Sequence, residues 1–128
     1  MILSVLYIHR FITSLGFSIF VETIVLMVIL KVITKHTNLP LRQILIAGIF
    51  STFATIPYVW FVFPNMFDWP RSTALLYSEP FITIVEAVFY SLFLKTNWKT
   101  SLIVSIAANL TSFFLGPLLR AYGLWIYW

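Results

Sequence analysis

Four stretches of about twenty residues, nearly free of charge and joined by short polar segments, constrain this chain more than any other feature. A soluble domain breaks its apolar runs with polar residues at a period of 2 or 3.6, and roughly a quarter of its residues are charged. Here 61% of the 128 residues are hydrophobic and only 9% are charged. The runs match the thickness of a hydrocarbon core, so the sequence predicts an all-α membrane protein with a single transmembrane domain over residues 1–128.

The predicted spans cover residues 11–30, 43–63, 73–94 and 100–119. Arg10 and Lys31 bound the first, and the twenty-one steps between them measure about 31 Å. Lys99 and Arg120 bound the fourth at the same separation. Residues 1–9 overshoot the core and are expected to extend the first helix or lie at the interface. No basic leader or small-residue cleavage site is evident there, so the first helix is expected to be retained.

Lys31, Lys35, Arg42, Lys95 and Lys99 flank the first and third connections, against Arg10, Arg71 and Arg120 on the other side. That bias predicts an integral, multi-pass protein of an inner or plasma membrane, with both hairpin loops in the cytoplasm and both termini outside. The central loop over residues 63–70, with Phe63, Phe67 and Trp69, shares its predicted side with Tyr122, Trp125, Tyr127 and Trp128, as interfacial aromatics do. The net charge of +4 is scattered at helix ends, which fits membrane topology and argues against nucleic acid as a partner. The absence of cysteine excludes a disulfide framework, a thiol nucleophile and a thiolate metal site.

The halves resemble each other. Val21, Glu22, Leu30 and Lys31 recur as Val85, Glu86, Leu94 and Lys95 at an offset of 64. Ala47, Phe53 and Pro57 recur as Ala107, Phe113 and Pro117 at an offset of 60, and Ser51-Thr52 becomes Thr111-Ser112. The pattern suggests two tandem helical hairpins, duplicated over residues 11–63 and 73–119, packed as a compact bundle. Gly16 and Pro80 occupy equivalent places in spans one and three, where a helix can bend.

Glu22 and Glu86 each lie nine residues from a lysine, which puts both about 13 Å deep. An acid at that depth costs a few kcal/mol unless it faces the bundle interior, takes a partner or carries a proton. The pair reads either as a proton or cation site or as hydrogen-bonding glue between helices. Asn109 reaches nearly the depth of Glu86 and belongs to a stripe with Ser105, Ser112 and Gly116, spaced 4-3-4. Small and polar residues on one face let helices approach closely, so this stripe, with Thr52, is expected to pack helices, while Leu115 is expected to face lipid. Glu79 stands two turns from Glu86 and marks either a step of a cation ladder or a wet helix break next to Pro80.

His9 and His36 lie outside the spans with no second histidine at metal-ligand spacing, so no metal or other cofactor is expected. Nothing pairs a nucleophile with a helical base, and an enzyme is not expected. Size and a first-span glutamate invite comparison with small multidrug-resistance transporters, and four short spans with fluoride channels. The second glutamate in span three is foreign to the former, and only the run from Asn109 to Phe114 faintly echoes the latter. Two functions remain open at this point. One is a non-catalytic subunit that packs against other membrane proteins. The other is a proton- or cation-coupled transport element that uses Glu22 and Glu86, paired with a second copy of itself. Both have the lipid bilayer as their surroundings.

Overall fold

A computed structural model describes residues 2–36 and 38–124. Trp125, Tyr127 and Trp128 of the terminal aromatic cluster lie outside the described residues. Helix α1 (Ile2–Val28) runs on through a π-helical turn, Ile29–Ile33. Helix α2 (Leu41–Pro57) passes through a second π-helical turn, Tyr58–Val62, into α3 (Phe63–Phe67). Helices α4 (Arg71–Phe93) and α5 (Trp98–Ala121) complete the chain, and no strand occurs among the described residues. Four helical units, Ser4–Ile33, Leu41–Phe67, Arg71–Phe93 and Trp98–Ala121, are long and apolar enough to cross a membrane.

The helix ends follow from local chemistry. Asn97 caps α5 by accepting the Thr100 N–H at 2.8 Å, and Pro40 and Pro70 precede α2 and α4. The backbone turns left-handed at Lys35, Asp68 and Lys95, which breaks the helical path before each connection. Two boundaries differ from the sequence reading. Residues 64–67, expected as loop beyond the second span, are helical, because Pro64 falls in the first turn of α3, where a missing N–H is harmless. The carbonyl four residues back, that of Trp60, accepts the Tyr7 hydroxyl instead, tying α1 to this end. Lys31, expected just past the first span, sits inside the helix, and its ammonium donates to the Leu39 carbonyl.

The main packing contacts run in a ring, α1 to α2 to α4 to α5 and back to α1, so α1 and α4 are diagonal, as are α2 and α5. Large apolar side chains such as Phe20 and Leu92 face outward at 66% and 74% exposure, a surface unsuited to water. Inside, two apolar clusters occupy opposite ends. Leu26, Leu30, Ile44, Ala47, Tyr90, Leu94 and Val104 fill the lysine end. Ile56, Val59, Trp60 and Ile82, with Phe11, Leu15 and Leu75, pack toward the arginine end. An aromatic collar surrounds the latter, with Phe11 4.8 Å from Phe61 and Phe63 5.4 Å from Phe81. Between the clusters lies a polar layer.

Candidate functional site

That layer holds Glu22 on α1 and Glu86 on α4, each 1% exposed. Each carboxyl is gripped by one side chain of α2 and one of α5. Thr52 Oγ1 donates to Glu22 Oε2 at 2.7 Å, and Ser112 Oγ donates to Glu22 Oε1 at 2.7 Å. Thr55 Oγ1 donates to Glu86 Oε1 at 2.8 Å, and Asn109 Nδ2 donates to Glu86 Oε2 at 2.6 Å. Thr52 and Thr55 stand one turn apart on a single face of α2, as do Asn109 and Ser112 on α5. The two acids therefore share the same two ladders from opposite sides, and none of these four partners is basic.

Proton counting shows what such a cluster can do. Each hydroxyl has one proton and more than one acceptor within reach. Thr52 Oγ1 also lies 2.9 Å from the Gly48 carbonyl, Ser112 Oγ 3.0 Å from that of Asn109, and Thr55 Oγ1 3.0 Å from that of Ser51. With an ionised carboxylate, the hydroxyls give their protons to it. With a protonated carboxyl, the acid donates to one hydroxyl, which turns its own proton to the helix carbonyl. Both states are fully hydrogen-bonded, and the change between them needs only hydroxyl rotation.

Close helix approach makes these contacts reachable. A Cβ on Gly48 would stand 2.5 Å from Thr23 Oγ1 and 3.0 Å from Thr23 Cα, so only glycine lets α2 approach α1 here without something shifting. Gly48 lies one turn from Thr52, and Thr23 follows Glu22. On the far side, Ser105 Oγ donates to the Thr83 carbonyl at 2.8 Å, joining α5 to α4, and Asn109 Nδ2 also reaches the Ser105 carbonyl at 3.0 Å. Toward the lysine end, the hydroxyls of Ser51 and Tyr90 meet at 2.9 Å.

A cavity of about 130 Å³ lies on the arginine side of Glu22, lined by Ser14, Ser18, Glu22, Glu79, Asn109 and Ser112 among others, while Glu86 is not part of its lining. Its lining continues to Arg71, whose guanidinium stacks over Trp60 at 3.5 Å. The lysine side is filled by the apolar cluster around Leu26, Leu30 and Tyr90.

Thus the structure brings Glu22, Glu86, Asn109, Ser112, Ser105 and Thr52 into one network. Glu79 lines the cavity, half-buried, and stands outside the hydrogen-bonded core of that network. Gly116 is buried on the same face of α5. Leu115, expected to face lipid, is half-buried, because it flanks the buried Gly116 rather than standing opposite it. Sequence reasoning missed Thr55, Gly48, Ser14 and Ser18, although Ser14, Ser18 and Glu22 recur every four residues along α1. Among the described residues no three of His, Cys, Asp and Glu cluster as metal ligands. The layer's oxygen atoms are hard donors, suited to a proton or an oxygen-seeking cation. No family model, curated protein or solved structure matches this chain.

Proposed function

We propose that this chain is a non-enzymatic, multi-pass protein of an inner or plasma membrane, termini outside, that binds a proton or cation at Glu22 and Glu86 as a coupled transport element. One observation carries this reading: two carboxyls buried in one layer are held, among the described residues, by uncharged donors that have a second acceptor, and one of the two, Glu22, borders a cavity that leads toward one end of the bundle. Glue alone needs neither the alternative acceptors nor the cavity. Four helices enclose only part of a pathway, so the element works as a homo-oligomer or against a partner.

The test is flux in reconstituted vesicles. Glu22→Gln and Glu86→Gln keep size and hydrogen-bonding capacity but cannot ionise. Both variants are expected to stay folded and lose proton- or cation-coupled flux. Full flux in both sinks the proposal.

A second reading is a non-catalytic subunit of a larger membrane complex. It draws support from the connections, which span only residues 34–40, 68–70 and 94–97, so that recognition of a partner falls mainly within the membrane. Purification in mild detergent separates the two readings: retention of large partners favours the subunit, and a homo-oligomer favours transport.

A further inference from the structure

A second concavity lies on the flank of the bundle between α4 and α5, with a volume of about 530 Å³. Its walls are apolar, formed by Leu76, Ile84, Ile106, Leu110, Phe113 and Phe114 among others. That volume falls within the range of sites for drug-sized ligands. One ionisable side chain lines it, Glu79. Glu79, Asn109 and Phe113 also line the inner cavity that reaches Glu22, so the same three residues form a wall common to both spaces.

Charge and shape together select an occupant. An anion or a neutral acyl chain gains nothing from a carboxylate held in apolar surroundings, whereas a cation gains a partner whose field water screens poorly. The rings of Phe113 and Phe114 offer faces that attract cations. A small hydrated metal ion gains little from the apolar walls. A cation that carries its own apolar surface satisfies every part of the lining.

We infer that the α4–α5 groove binds a lipophilic organic cation, entering sideways from the apolar phase, with Glu79 as its counter-charge. This inference rests on the transport reading and names its substrate class. Glu79 is then the first acid such a solute meets, and Glu22 and Glu86 the pair behind it.

The experiment is equilibrium binding to the full chain in detergent, using tetraphenylphosphonium and, as a control of like size and shape but opposite charge, tetraphenylborate. Saturable binding of the cation and none of the anion is expected. Glu79→Gln should weaken cation binding about tenfold or more, which corresponds to about 1.4 kcal/mol. Ile106→Trp, which fills the groove and leaves the carboxyl in place, should weaken it as well. Helical content by circular dichroism confirms that both variants fold. Equal binding of the anion, or unchanged binding by Glu79→Gln, overturns the inference, as does efficient disulfide formation between two copies of Leu110→Cys, which would seat a second copy in the groove. Proton flux through Glu22 is measured without any organic cation. Loss of flux in Glu22→Gln beside failed cation binding therefore removes this inference and leaves the acid pair standing; cation binding beside unchanged flux does the reverse.

Discussion

Replacing Thr52 with valine removes one hydroxyl and almost no volume. Thr52 is fully buried, and its Oγ1 lies 2.7 Å from Glu22 Oε2 and 2.9 Å from the Gly48 carbonyl. The carbonyl keeps its helical N–H partner, so the loss falls on the carboxyl. Side-chain hydrogen bonds between membrane helices average about 0.6 kcal/mol and reach about 1.7. A bond to a charged group contributes about 1.5 to 3 kcal/mol. Thr52→Val should therefore cost about 0.6 to 1.7 kcal/mol where Glu22 is neutral and about 1.5 to 3 where it is ionised. The sign with pH follows from linkage: the valine variant loses a bond that favours the carboxylate, so its deficit is smallest at low pH and grows as Glu22 ionises. Denaturant unfolding in detergent across a pH series measures it, and Thr52→Ser should restore most of the loss. In a Glu22→Gln background the pH dependence of the deficit should vanish. A deficit under about 0.3 kcal/mol, or a pH dependence that survives in that background, refutes the proton accounting.

Three further outcomes are expected. Gly48→Val should destabilise by about 1 to 3 kcal/mol, since its side chain meets not only Thr23 Oγ1 but also the Thr23 Cα, which cannot swing aside, and unchanged unfolding would mean that α1 and α2 do not approach at that level. Ser112→Leu and Gly116→Leu should lower the thermal midpoint in detergent more than Leu118→Ala, because the first two residues are buried and Leu118 is 52% exposed; the reverse ranking would place lipid on the wrong face of α5. An impermeant thiol reagent on intact cells should label Asn65→Cys and spare Asn38→Cys, and the opposite pattern reverses the proposed orientation.

The spans and the acids were legible in the sequence because both are matters of cost. A run of about twenty apolar residues has few other places to go, and a carboxyl within it must find a partner. Equal depth was enough to suggest the contact of Asn109 with Glu86. Thr55 was not legible, because an interior threonine usually bonds its own helix, as Thr111 does to the Ala107 carbonyl at 2.7 Å. Its role depends on α2 standing between α1 and α4 in the ring. Gly48 was hidden for a similar reason, since a glycine's value lies in a neighbour that sequence does not position. The matched nine steps from acid to lysine paired Lys31 with Lys95, yet the left-handed turns fall at Lys35 and Lys95, with φ of 52° and 53°. The π-helical turn Ile29–Ile33 carries α1 about one turn further, so equal spacing from the acids did not mean equal helix ends.

The same polar layer that unites the four helices divides the bundle into unlike halves. Toward the arginine end, serines recur every four residues along α1 and border the cavity; toward the lysine end, Leu26, Leu30, Ile44 and Tyr90 are each at most 1% exposed. On the transport reading, a solute bound at Glu22 has the cavity on one side and close-packed side chains on the other. Close-packed cores shift between discrete packings more readily than they deform gradually, so an exit on the lysine side requires helices to part as units. The Ser51–Tyr90 bond ties α2 to α4 at that level, and Gln43 Nε2 ties them again through the Phe93 carbonyl at 2.8 Å. Contacts of α1 with α2 at Gly48 and of α4 with α5 at Ser105 fasten each sequential hairpin internally. The acids add two more ties between the hairpins, Ser112 to Glu22 and Thr55 to Glu86. On the transport reading, any parting of the hairpins toward the lysine end therefore has to break the Ser51–Tyr90 and Gln43–Phe93 bonds first, while the acid layer holds the hairpins together as a pivot.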